Sequence, residues 1–343
     1  MRAHSYPLVV GHRGAPGYRP EHTRAAYELA FALGADAVEP DLVATRDGVL
    51  VIRHENDISE TTDVAAHPEF AGRRSTKEID GVVITGWFTE DFTWAELATL
   101  RARERVPFLR QASASFDRHY PLLRFRDLID IVDRASDDAA RLLGIVAELK
   151  HATYFESIGL PLDELVDAEL SDTGWGDNPE LIVESFEKTV LSKLYHRGYR
   201  GRRFYLVESS GAPADRIAAQ GSDAAGYDQD LTAVGLYALG AAEAAHRVEG
   251  VSVDLSMVLT PEQVDEDGDP TSELVDTAHA AGLRVFCWTL RPENHFLPQA
   301  FRRGEADSAW GDWRTEFSLI MRSGVDGVFA DQPDLAVAVR DGG

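Results

Sequence analysis

The chain has 343 residues, 44% of them apolar, and carries 58 Asp and Glu against 34 Lys and Arg, a formal charge of −24. That excess repels nucleic-acid phosphates and any anionic substrate at long range, so nucleic acid is excluded as a partner and a phosphate site would need a metal or a local basic cluster. The lone Cys287 rules out an intrachain disulfide and a cysteine-based zinc cage. Leu8-Val9-Val10 is too brief for a signal-peptide core and no run reaches the roughly 18 apolar residues of a membrane span, so the expectation is a cytoplasmic protein without stable membrane insertion.

Short β-branched or apolar runs alternate with helical periodicity, the pattern of βα units on a parallel sheet. Candidate strands lie at 7–12, 37–43, 143–149, 181–186, 203–208, 250–254, 284–289 and 325–330, a count that suits a closed TIM-type (β/α)8 barrel formed by one domain, 1–343. In the first helix Ala26, Leu29, Ala30 and Leu33 follow a buried stripe, and Gly34 supplies a C-terminal cap. Further helices are expected at 124–137, 161–171, 187–198, 271–281 and 312–323. Asp47-Gly48 turns the chain into a hairpin return that carries His54 back toward the strand ends.

Residues 57–122 break this rhythm with clustered Thr, Asp, Gly and Arg, and read as an inserted cap or lid after that hairpin. The stretch 209–249, rich in Ala and Gly, has room for one or two short helices.

Reactive groups of a TIM barrel sit at the C-terminal ends of its strands. Here those ends are charged: His12-Arg13-Gly14, Glu39-Pro40-Asp41, His54 after the hairpin, and Glu148-Leu149-Lys150. Glu39 and Asp41 are two apart on a strand and share a face, and Glu148 arrives from the next strand, so three oxygen ligands suit one hard divalent ion, Ca2+ or Mg2+. His12 and His54 beside them suit a base and an acid of near-neutral pKa, with no special tuning. Arg13 offers a planar fork to a phosphate oxygen and Lys150 a compact charge. Singly, a Glu-x-Asp pair reads as an exposed strand face and a strand-end histidine as a satisfied polar group. Their conjunction at successive strand ends has no packing purpose.

Weaker candidates are Trp288 as an apolar wall for a small alcohol, Glu184 and Phe186 reaching the site from the fourth strand, and Glu21 either at the first helix's N-terminus or beside His12 and Arg13. Asp254 reads as structural, and His22, His67 and His119 as surface or cap residues.

The ordered set His12-Arg13-Gly14, Pro20-Glu21-His22-Thr23, Glu39-Pro40-Asp41, His54, Glu148-Leu149-Lys150, Ser185-Phe186, Trp288-Thr289 and Gly324 to Asp331 resembles the glycerophosphodiester phosphodiesterase family over nearly the whole chain. The resemblance implies that Glu39, Asp41 and Glu148 bind a divalent ion, that His12 and His54 are acid and base, and that Arg13 and Lys150 contact phosphate. It implies hydrolysis of small glycerophosphodiesters, such as glycerophosphocholine or glycerophosphoethanolamine, to glycerol 3-phosphate and an alcohol. It also implies attack on phosphorus by the substrate's own neighbouring hydroxyl, a proximity device that needs no serine or cysteine nucleophile. The chain departs from the family pattern at His22, commonly Asn, at Glu55, commonly Asp, and at Glu184, often Gln; the last bears on metal choice or the preferred alcohol.

Two other readings stay open at this level. A phospholipase D-like activity on lysophospholipids or sphingomyelin needs a groove for an acyl chain, for which Trp87, Phe88, Phe92, Trp94 and Phe108 of segment 57–122 are available. A non-catalytic glycerol-phosphate-binding barrel would predict loss of a histidine or a metal carboxylate, and none is missing.

Overall fold

Side chains alternate across a strand with a period of two, and in a closed barrel that period separates an interior from a helix-facing surface. The computed structural model describes residues 7–259 and 270–342. Eight parallel strands close a barrel: Leu8–His12, Ala37–Glu39 continued after Pro40 by Asp41–Ala44, Gly144–Leu149, Leu181–Ser185, Arg202–Val207, Gly250–Asp254, Arg284–Leu290 and Gly327–Ala330. The last strand pairs with the first, Leu8 opposite Gly327, which completes the ring. Strand two is interrupted because Pro40 has no N–H to give the ladder. Both of its halves still pair with strand three, Val38 opposite Ile145 and Asp41 opposite Glu148.

The alternation fills the barrel floor with Leu8, Val10, Ala37, Val146, Ile182, Phe204, Phe286 and Phe329, all buried. Two residues further along the same strands, on the same face, stand His12, Glu39, Glu148, Glu184, Trp288 and Asp331. An apolar layer therefore supports a polar one directly above it. The intervening residues, such as Val9, Val38, Ile145 and Val183, face the larger core between barrel and helices. Helix Phe125–Ala139 joins that core through Phe125, Leu128, Ile129, Ile131 and Val132. Each such side chain contributes on the order of 1.5–3 kcal/mol by burial.

Helices also follow at Arg24–Ala32, Leu162–Thr173, Lys188–Arg197, Glu273–Ala280 and Trp313–Arg322, within three residues of the expected ends. The Thr23 hydroxyl caps the first by accepting from the Ala26 N–H. The hairpin return forms as Leu50–Ile52 antiparallel to Asp41–Ala44, turned at Gly48 with φ +75. Between 209 and 249 there are three α-helices, Ala214–Gln220, Tyr227–Asp230 and Ala233–Ala241, and a 3-10 turn Gly221–Asp223, more than the one or two expected.

Segment 57–122 is more ordered than its irregular sequence suggests. It holds a β-hairpin, Ser75–Ile79 against Val82–Gly86, turned by Asp80 and Gly81 at φ +49 and +81. Two successive left-handed residues suit a tight hairpin, and Asp-Gly is the sequence signal for one. Its aromatics form no groove: Phe88 and Phe92 are wholly buried, Trp87 and Trp94 pack against the core, and Phe108 is exposed, edge to face with His295 at 6.0 Å.

Candidate active site

At the C-terminal mouth of the barrel lies a cavity of about 390 Å³. One end is lined by His12, Arg13, Glu39, His54, Glu148 and Lys150, and Phe186 and Trp288 stand beside them, their rings 6.1 Å apart edge to face. All eight expected site residues named so far thus line one space, and Asp41 is buried beside Glu39 and Glu148.

Register explains the meeting. His12 lies opposite Glu39, Asp41 opposite Glu148 and Glu148 opposite Glu184 across successive strands. One oxygen each from Glu39, Asp41 and Glu148 falls within 4.8 Å of the others, all three residues being buried. Asp41 Oδ1 has no hydrogen-bond partner. Glu148 Oε1 lies 2.9 Å from the Lys150 ammonium but off the hydrogen-bond axis. Burial, with Asp41 and Glu184 nearby, holds Glu39 well above the usual carboxylate range. Burial raises Glu148 to about 8 despite Lys150. In Asp41 the hydrogen bond from His22 and the positive neighbours outweigh burial and keep the group ionised. Crowded oxygens with an unpaired lone-pair face are the donor set of a hard divalent cation, and Glu39, Asp41 and Glu148 fit one.

His12 Nδ1 lies 2.5 Å from Asp331 Oδ1, and His54 Nδ1 bonds Glu55 Oε1. An ionised carboxylate only accepts, so each Nδ1 carries the proton and each Nε2 keeps its lone pair. Lys150 Nζ stands 3.2 Å from His54 Nε2. Neither imidazole is near neutral as the sequence suggested. Burial and Arg13 lower His12 to about 4, and burial with Arg13 and Lys150 lowers His54 to about 3. The cause is desolvation inside a wall of cations, which spacing along the chain does not reveal.

Arg13, at φ +53, turns its backbone N–H to Glu39 Oε2 at 3.0 Å. Its side chain donates to Glu21 Oε2 at 3.1 Å and has Nε 3.4 Å from Asp41 Oδ2 without alignment. Glu21 therefore belongs to the site's surround, and Thr23 caps the helix instead.

His22 corrects the expectation of a surface or cap residue. It is fully buried, donates from Nε2 to Asp41 Oδ2 at 2.9 Å and accepts on Nδ1 from the Tyr27 hydroxyl at 2.8 Å. Such a partner fixes the orientation of a metal-ligating carboxylate. His67 and His119 do lie in segment 57–122 away from the cavity. Asp254 is structural as expected, capping Leu255–Val258 through Ser256 N–H, and it also lines the cavity. Glu184 is buried under the site, accepting from Ser252 Oγ at 2.8 Å, and its protonated form is favoured by burial and by Glu148.

Four residues of the surround were given no role by the sequence reading. Asp331 Oδ2 accepts from Arg110 at 2.6 Å and Arg291 at 2.7 Å while Oδ1 holds His12. Arg105 bridges Glu21 and Glu55, with Nη2 at 2.7 Å from each. Arg105 and Arg110 come from segment 57–122, which reaches the site through these cations although none of its described residues lines the cavity.

Comparison with known proteins agrees with this geometry. Residues 12–335 match the model of the Glycerophosphoryl diester phosphodiesterase family. The chain is 30% identical over 342 residues to glycerophosphodiester phosphodiesterase GDPD6 of Arabidopsis thaliana, covering 95% of this chain and 84% of that one. It is 25% identical to a glycerophosphodiester phosphodiesterase of Haemophilus influenzae, covering 98% and 90%. Among solved structures, a glycerophosphodiester phosphodiesterase of Agrobacterium tumefaciens superposes with TM-score 0.58 at 19% identity, covering 96% of this chain and 99% of that one. A phosphodiesterase of Oleispira antarctica, solved with the product sn-glycerol-3-phosphate, superposes with TM-score 0.57 at 20% identity, covering 98% and 97%. With a match that runs from the first catalytic-end histidine to beyond the last barrel strand, this chain belongs to the glycerophosphoryl diester phosphodiesterase family and is an enzyme of that class.

Proposed function

We propose that the protein hydrolyses small glycerophosphodiesters, such as glycerophosphocholine or glycerophosphoethanolamine, to glycerol 3-phosphate and an alcohol, with His12 and His54 moving the protons and Ca2+ or Mg2+ held by Glu39, Asp41 and Glu148. The observation that carries the reading is the pair of imidazoles whose Nδ1 atoms are each bound to a carboxylate, at the edge of a buried three-carboxylate cluster with an unpartnered oxygen.

When bound, the cation supplies charge neutralisation at a phosphate oxygen. Arg13 and Lys150 add positive charge on the same side of the cavity and hold the phosphodiester in place. One imidazole accepts, on Nε2, the proton of the substrate hydroxyl that attacks phosphorus to close a cyclic phosphate; the other, protonated on Nε2 as well once the anionic diester is bound, delivers that proton to the alcohol oxygen as its bond to phosphorus breaks. The roles then reverse as water opens the cyclic phosphate, so both histidines return to their starting states. Asp331 and Glu55 stabilise each imidazolium as it forms and keep Nε2 aimed inward. Phe186 and Trp288 exclude water from the alcohol side. Segment 57–122 acts as a cap on the single catalytic unit 1–343, bracing it through Arg105 and Arg110.

The test is release of glycerol 3-phosphate from glycerophosphocholine and glycerophosphoethanolamine after chelation by EDTA, then with Ca2+ or Mg2+ restored separately. Release that disappears on chelation and returns with one ion is expected. Absence of release with either ion would overturn the substrate assignment.

A further inference from the structure

The cavity does not end at the two histidines. It continues between the seventh strand and helix Trp313–Arg322, where Leu255, Leu259, Phe301, Leu319 and Ile320 form an apolar wall. In that wall stands Glu316, 7% exposed. Among the described residues its carboxyl takes part in no hydrogen bond or ion pair; burial favours the neutral acid, and the buried Cys287 thiol is a titratable neighbour. A carboxyl so placed costs stability unless a ligand pairs with it. Helix Trp313–Arg322 could satisfy its packing with a leucine at this position, as it does at Phe317, Ile320 and Met321.

Two further acids stand in the same cavity. Asp254 and Glu208, from the ends of strands six and five, line it with Glu316. Arg291 lines it too, but its guanidinium is tied to Asp331 at 2.7 Å and stacked 4.6 Å from the Phe296 ring, so it is already neutralised. Trp288 supplies an aromatic surface at the junction with the histidines. An apolar and aromatic chamber with an unpartnered buried carboxylate and two further acids is built for an alkylammonium group.

We propose that Glu316 is a specificity-determining residue that selects diesters whose leaving alcohol carries an ammonium or quaternary ammonium group over those whose alcohol is neutral. This rests on the phosphodiesterase reading above. The group enters past Trp288, places its cation against Glu316 and leaves the phosphate at His12 and His54.

The experiment compares kcat/KM of the metal-loaded protein and its E316Q variant on glycerophosphocholine, glycerophosphoethanolamine, glycerophosphoglycerol and glycerophosphoinositol, with free choline as a competitive inhibitor. The wild type should favour the two cationic diesters, and in E316Q that preference should shrink about tenfold or more, mainly through KM, with a matching loss of choline inhibition. E316D should recover part of it. A wild type without the preference, a preference unchanged in E316Q, or a uniform loss on all four diesters overturns the selector role while leaving the phosphodiesterase reading intact. Turnover of none of the four by the wild type overturns both.

Discussion

His12 Nδ1 and Asp331 Oδ1 stand 2.5 Å apart although 319 positions separate them in the chain. The other Asp331 oxygen is held by Arg110 and Arg291, so this one carboxylate links the first strand, segment 57–122 and the seventh strand's loop. Asp331→Asn offers His12 an amide and releases two cations. It should lower kcat about 100-fold or more with a smaller change in KM, measured alongside circular dichroism to verify folding.

Removing the metal should expose the repulsion among the three carboxylates. Glu148→Gln is expected to raise the melting temperature in EDTA above pH 5, because a neutral amide spares the folded protein the proton uptake that burial and the neighbouring carboxylates force on Glu148. It should also abolish most of the stabilisation that Ca2+ or Mg2+ gives the wild type. A variant destabilised in EDTA and still shifted by metal like the wild type would contradict the metal assignment. The readout is a thermal melt and needs no substrate.

The bond from His22 to Asp41 makes a prediction about affinity. His22→Ala should weaken divalent-ion binding about 10–100-fold, as loss of a ligand's orienting partner does. His22→Asn, which keeps an amide donor, should lose less. Calorimetric titration with Ca2+ and Mg2+ measures both.

Glu316 also makes a prediction about pH. Burial raises its carboxyl to about 8 in the folded protein, against an ordinary value of 4.5. The folded state therefore holds a proton that the unfolded chain releases, and this favourable contribution is present below pH 4.5 and lost as pH rises through about 8. Glu316→Gln does not titrate, so its melting temperature should exceed that of the wild type by a margin that grows between pH 5 and pH 9. A constant margin would contradict the buried ionisable carboxyl.

Arg105 ties Glu21 to Glu55, and Glu55 orients His54. Arg105→Gln should cost about 1–3 kcal/mol of stability, less than a fully buried pair because the side chain is partly exposed. Activity should fall further than the stability loss explains, since His54 loses its fixed orientation. Denaturant melts and kcat on one diester separate the two effects.

The sequence by itself determined the barrel and the chemical layer of the site. Apolar runs of strand length with period-two alternation place Val10 and His12, or Val146 and Glu148, on one interior face, and that geometry belongs to any strand. Glu39, Asp41, Glu148, His12 and His54 are legible because each interrupts an apolar run at a strand end. Tertiary structure decided what surrounds them. His22 reads as a loop residue until helix Arg24–Ala32 docks and brings Tyr27 and Asp41 to its two nitrogens. Arg105 and Arg110 lie in a segment whose Asp80-Gly81 hairpin signal is local, while their partners Glu21, Glu55, Glu293 and Asp331 are remote. Glu316 looks like one more polar position on an amphipathic helix, and only packing against the barrel removes it from water. Local pattern fixes which way a side chain leaves its own strand or helix; charge pairing and desolvation depend on which distant segments close over it, and those set the pKa values of the two histidines and the chemistry of the chamber beside them.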